Sequence, residues 1–167
     1  MHLKHAILLF LAFVIDSTWG HDIAIRGVIR PDFVLMMLIY GAMGSGAFTG
    51  TILGFSVGLL EDFNGPPENL GLNAMCNTLI AYGAGIAGNT LYRDTLSTLL
   101  LTLLTASMVH ATIYWLIFTR FQLTESAAML VTVSLPSMLY TIAVALILIL
   151  GFTFRQGQIN VRWLFPE

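Results

Sequence analysis

The residue in this sequence best placed to do chemistry is a histidine inside an apolar run. His110 lies in the uncharged stretch Thr95 to Thr119, with Ser107 one helical turn before it and Tyr114 one turn after it on the same face. An ionisable group in lipid can relay a proton, hold a polar solute or bond to a neighbouring helix, so His110 is a candidate polar membrane site. The plainest of these uses is the last, a neutral imidazole bonded to a neighbour. A second set lies in the stretch Glu61 to Gly71, where Asp62, Asn64 and Glu68 offer oxygen donors of the kind that hold hard cations. Their spacing lacks the calcium-loop pattern and two prolines interrupt it, so a solvated acidic turn without metal is expected. Thr98, Thr102 and Thr105 stripe one face and are expected to bond back to their own helix. Cys76, the only cysteine, excludes an intrachain disulfide and reads as a small buried apolar residue. There is no HExxH, no GxSxG elbow and no GxxxxGK[ST] phosphate cradle. These patterns name no catalytic residue, no cofactor and no metal.

The elements that must position such residues are set by composition. Of 167 residues, 57% are apolar and 10% charged, where soluble domains carry about 25% charge; mean hydropathy is +0.84. Hydrocarbon must be the solvent, and the chain reads as a single integral membrane domain over residues 1–167. At about 20 residues per crossing, six spans consume roughly 120 residues and leave no room for a soluble catalytic domain. The formal charge of −2 and the scattered basic residues exclude a phosphate-binding patch, and with it nucleic acid as a partner.

Spans follow from the apolar runs. Lys4 followed by Ala6 to Ile15 resembles a signal peptide, but bulky Trp19 spoils the processing site, and a retained first span is expected. Gly20 to Pro31 mixes isoleucines with charges and reads as interfacial. Asp32 to Leu60 as one helix would measure about 43 Å. Split near Gly44, Ser45 and Gly46 it gives two helices of about 21 Å each, short enough to require tight packing or local thinning. Leu72 to Tyr92, Thr95 to Thr119 and Ser126 to Phe152 complete the set, with a kink expected at Pro136. Six spans with the N-terminus inside place Lys4, Arg93, Arg155 and Arg162 in the cytoplasm against Arg26, Arg30 and Arg120 outside; five spans, with Asp32 to Leu60 unbroken, suit the positive-inside rule better. Helix length favours six. Both arrangements put Glu61 to Gly71 outside and the C-terminus in the cytoplasm.

Gly46, Gly50, Gly54 and Gly58 recur every fourth residue and make a ridge without side chains. In lipid such a ridge lets another backbone approach closely. Packing against this protein's own helices is the first expectation, a partner's helix the second. Ala81 with Gly85 and Ala84 with Gly88 repeat the spacing on the next span and are the natural internal mate. Asp62, at the end of the glycine-rich helix, joins Arg93 and Arg155 as loop-level contact candidates.

Pro31-Asp32 opening an apolar run, then Gly54-Phe55-x-x-Gly58-Leu59-Leu60-x-Asp62, a short loop and Leu70-Gly71-Leu72, together resemble MreD, the rod shape-determining membrane protein family. The likeness covers about residues 28–92 by motif and the rest by length and span spacing. It implies a non-catalytic, multi-span inner-membrane scaffold of the bacterial cell-wall elongation machinery. The implied partners are a single-span MreC-like protein and, through it, MreB, RodA and a penicillin-binding transpeptidase engaged in peptidoglycan synthesis. MreD-like proteins also resemble the substrate-binding subunits of energy-coupling-factor vitamin transporters, so a solute-binding membrane subunit is the alternative function. The first span lacks the AxxxA coupling ridge of those subunits, since Ala6 is followed four residues later by Phe10.

Overall fold

A computed structural model describes residues 2–19, 24, 29–90 and 96–156. Within them the chain is helical apart from turns and the non-helical stretch 29–32 before α2: α1 (His2–Trp19), α2 (Phe33–Ser45), α3 (Ala47–Asn64), a 3-10 turn (Pro67–Asn69), α4 (Leu72–Thr90), α5 (Leu96–Phe118), α6 (Leu123–Met129), a π-helical turn (Leu130–Ser134) and α7 (Leu135–Gln156). Three of these rods, Pro67–Gly88, Ser97–Phe118 and Leu123–Leu150, are long and apolar enough to cross a membrane, and two shorter apolar helices, His5–Thr18 and Phe33–Ser45, accompany them. The protein is a polytopic transmembrane helix bundle. Most of the interfacial segment, Arg93, the side chain of Arg155 and the tail after Gln156 lie outside the described residues.

The long run from Asp32 is broken where the glycines cluster. Gly46 has φ 86° and ψ 169°, a backbone region open almost solely to glycine. The chain reverses there, so that Asp32 before α2 and Glu61 near the end of α3 meet at one end of the bundle. Two short helices therefore stand where a single rod of about 43 Å was the alternative.

α2 is apolar all round, which suits a helix enclosed by others. Val34, Leu38, Ile39, Ala42 and Met43 are at most 1% exposed, and α1, α3, α4, α5 and α7 all touch it. The most extensive helix pairing is α3 against α4. On the far side α5 and α7 turn mostly apolar side chains outward, with Leu101, Leu139 and Ile147 among the most exposed, as lipid-facing helices must.

α6, the π turn and α7 make one continuous rod. The distortion expected at Pro136 sits one turn earlier, at Leu130–Ser134. Proline has no N–H to offer the carbonyl four residues back and its ring crowds that carbonyl; widening the preceding turn relieves both.

Candidate functional site

The end of the bundle that carries Asp32 and Glu61 gathers nearly all the polar chemistry described. Its anchor is Asp62. The side chain is 3% exposed, and its carboxylate accepts hydrogen bonds from the backbone N–H of Gly71 (2.9 Å), Asn73 (3.0 Å) and Ala74 (3.0 Å). These are the unpaired donors at the start of α4, and a carboxylate there also meets the positive end of the helix dipole. Asp62 was a candidate for helix packing or for a loop-level contact with a partner, or else an ordinary interfacial charge; it is interior, and its acceptors are committed to α4. Glu68 stands apart in the exposed 3-10 turn. No group of three or more metal-ligating side chains occurs among the described residues.

Beside this clamp opens a cavity of about 690 Å³. α1 contributes Asp16, the approach to α2 contributes Arg30 and Asp32, and α3 contributes Glu61 and Asn64. α5 supplies Ser107, His110, Tyr114 and Trp115, and the π turn with α7 supplies Ser134, Ser137 and Thr141. Arg30 approaches Asp16 at 3.9 Å. Asp32 caps α2, its Oδ1 accepting from the N–H of Leu35 at 2.7 Å, while its own N–H donates to Thr141 Oγ1 at 2.9 Å and ties α2 to α7. Burial pushes the Asp32 carboxyl above the ordinary carboxylate value, against the opposing pull of the Leu35 N–H and the Arg30 charge. Glu61 Oε2 accepts from Asn77 Nδ2 at 2.6 Å, which gives the 2% exposed Asn77 of α4 a partner on α3. Trp115 Nε1 donates to Ser134 Oγ at 2.7 Å.

His110 faces this space along with Ser107 and Tyr114, the neighbours its spacing predicts. The imidazole and the Tyr114 ring stack at 6.1 Å with 15° between planes. Ser107 bonds back to the Leu103 carbonyl at 2.7 Å, and Thr102 and Thr105 do the same to Thr98 and Leu101. The hydrogen-bonded neighbour expected for His110 is missing at one atom: Nε2 is closed off from solvent without a partner.

The glycine ridge lies inside the bundle. A Cβ on Gly54 would strike the carbonyl of Asn77, one on Gly58 would come within 2.5 Å of Ala74 Cα, and one on Gly50 within 2.9 Å of the Ala81 carbonyl oxygen. Gly85 and Gly88 return the approach against Ala47 and Met43. Ridge and mate are thus both internal, which leaves Gly50, Gly54 and Gly58 no open face for another chain. Gly46 touches nothing in this way; it serves the reversal between α2 and α3. Cys76 is buried with its thiol free.

A bundle of this size with a Pro-Asp helix start, a glycine-notched helix ending in Asp62 and a Leu-Gly-Leu entry to the next span agrees with one family model. The model, described as rod shape-determining protein MreD, matches residues 2–154. The chain belongs to the MreD family. It is accordingly a membrane protein of rod shape determination. No curated protein and no solved structure matches it.

For this MreD chain the sequence signalled the ridge, and a pocket only as the alternative reading with His110 and the acidic loop on its wall; most of the residues that line the cavity were not identified. Glu61, Asn77 and Thr141 were not singled out. An Asn inside an apolar span is a signal that could have found Asn77, since such a group needs an intramembrane partner. Asp32 directly before an apolar run is likewise a cap signature.

Proposed function

We propose that this chain is a non-catalytic scaffold of the bacterial cell-wall elongation complex. It sits in the inner membrane with its C-terminus cytoplasmic and binds the transmembrane helix of an MreC-like partner, and through it MreB, RodA and a penicillin-binding transpeptidase. The observation that carries the proposal is the family match over residues 2–154. The surface is consistent with it: among the described residues there is no soluble mass, and the outward faces of α3 and α7 are apolar, with Phe48 81% and Ile147 69% exposed. In lipid such faces bind other helices by packing and by the occasional polar contact. Because the glycine ridge is already filled, the partner's place is on the outward faces.

The test is co-purification with the MreC-like protein from membranes, with photo-crosslinking residues placed at Phe48, Ile52, Leu139 and Ile147. Crosslinks confined to one face support the scaffold and locate it. A folded protein that retains no partner and crosslinks nowhere contradicts it, as does unchanged cell shape on depletion from a rod-shaped host. The second reading, a solute-binding membrane subunit of a vitamin-type transporter, has the cavity in its favour. A small molecule retained through purification and transported on reconstitution is the result that selects it.

A further inference from the structure

α1 is at once short and turned toward lipid. Leu9 and Ala12 face inward, 4% and 5% exposed, while Ile7, Leu8, Phe10, Leu11, Val14 and Ile15 are between 40% and 56% exposed. The helix packs chiefly on α2 and α3. Its apolar run, Ala6 to Ile15, is closed at both ends by polar residues. At one end the His5 ring meets the edge of the Tyr40 ring at 5.7 Å. At the other Asp16 approaches Arg30 at 3.9 Å, and Ser17 and Thr18 are exposed beyond it. Even taken whole, the apolar helix His5–Thr18 is about 21 Å long. The rods Ser97–Phe118 and Leu123–Leu150 have 22 and 28 residues, or about 33 and 42 Å. The apolar belt is therefore lopsided, and its α1 side falls about 9 Å short of a hydrocarbon core of about 30 Å. α2 is as short, but its enclosure by other helices keeps lipid from it.

A lipid-facing helix shorter than the bilayer has few remedies. Tilting and kinking reduce the projected length of a rod and cannot extend α1. Snorkelling needs a long side chain, whereas Ser17 and Thr18 are short and the His5 ring is engaged with Tyr40. Covering by another helix is the third route, and seams between helices in lipid are built on small residues. The outward residues of α1 from Ile7 to Ile15 are all large, and its small residue there, Ala12, points inward. The remaining route is for the lipid itself to thin. We propose that the bilayer thins against α1, so that this face binds phospholipids with short chains in preference to long ones, while the face of α5 and α7 takes longer chains. The inference is separate from partner capture: it is measured on the chain in lipid alone, and either can fail without the other.

The test uses the full-length protein reconstituted in phosphatidylcholine. Leu11→Cys on α1 and Leu139→Cys on α7, 50% and 63% exposed in the parent, each carry a thiol-linked fluorophore, and the buried Cys76 stays out of the reagent's reach. Quenching by a phosphatidylcholine brominated in its chains is competed with unbrominated phosphatidylcholines of fourteen, eighteen and twenty-two carbons per chain. At Leu11→Cys the fourteen-carbon lipid is expected to displace the quencher several-fold better than the twenty-two-carbon lipid, and at Leu139→Cys this order is absent or reversed. Ser17→Leu with Thr18→Leu, both at exposed positions, lengthens the apolar face of α1 by about 3 Å and is expected to move the preference at Leu11→Cys toward longer chains. The same order of chain lengths at both labels overturns the proposal, because the whole protein and not α1 would then set the thickness. Absence of quenching at Leu11→Cys overturns it too, since protein and not lipid would cover the helix. So does an unchanged preference in a folded Ser17→Leu, Thr18→Leu variant, which would show that the polar end of α1 does not fix the lipid boundary.

Discussion

The carboxylate of Asp62 and the backbone nitrogen of Ala74 stand 3.0 Å apart inside the protein, so the last turn of α3 holds the first turn of α4. Together with the bonds to Gly71 and Asn73, this contact fixes the register in which the glycines of α3 meet α4. Asp62→Ala strands three donors near a helix start, and hydrogen bonds to a charged group are each worth about 1.5–3 kcal/mol. A loss of roughly 3 kcal/mol or more is expected, allowing for partial rescue by water. Unfolding of the detergent-solubilised variant measures it; an unchanged midpoint contradicts the clamp.

The glycines separate into classes that substitution to alanine will tell apart. At Gly54 and Gly58 even one methyl group meets backbone of α4, and backbone cannot swing aside as a side chain can. Each alanine is expected to cost about 1–3 kcal/mol by forcing the helices apart. At Gly83 the same methyl meets nothing within 4 Å, so Gly83→Ala is expected to gain up to about 1 kcal/mol from helix propensity. Gly46→Ala also finds open space, but its φ of 86° makes it cost about 1–3 kcal/mol. Unfolding midpoints of the four variants give the comparison, and equal effects at Gly54 and Gly83 would refute the packing argument.

Asp32 provides a pH test. Burial is the largest influence on its carboxyl and raises the pKa, so the folded state holds this proton more tightly than the unfolded chain does. Its contribution to stability is then greatest in acid, and it declines as pH rises from the ordinary carboxylate value through the raised folded value. Asp32→Asn keeps an oxygen to cap Leu35 and cannot ionise. Relative to this variant, the wild-type protein is expected to lose stability on going from about pH 4 to neutral. A difference between the two that does not vary with pH would show that the charge is not desolvated.

What could be read in advance was whatever has a period. Four-residue spacing announced the ridge from Gly46 to Gly58, and the same periodicity placed Ser107 and Tyr114 on the face of His110. The glycine cluster near Gly46 and the excess length of the run after Asp32 announced the reversal. The cavity has no period, because its walls come from segments far apart in the chain: Asp32 and Thr141 are separated by 109 positions. Asp62 was misread for a related reason. A carboxylate beside a proline-rich turn looks solvated until the next helix is known to start against it.

The π turn and the α5 contact make the last prediction. Trp115 Nε1 donates to Ser134 Oγ at 2.7 Å, and Ser134 ends the widened turn that precedes Pro136. The extra residue in that turn rotates the chain before it by about 100° relative to a regular helix, so the width of the turn aims Ser134 at the indole. Ser134→Ala leaves the indole N–H without this acceptor and is expected to cost about 1–2 kcal/mol. Pro136→Ala restores the N–H whose absence favours the wide turn and lets the rod relax toward regular α-helix, carrying Ser134 away from Trp115. The two substitutions therefore act on one bond, and in the Pro136→Ala background the further cost of Ser134→Ala should shrink toward zero. A double-mutant cycle read by thermal unfolding measures this coupling. Full additivity would show that the bond survives without the wide turn and that Pro136 is not what positions it.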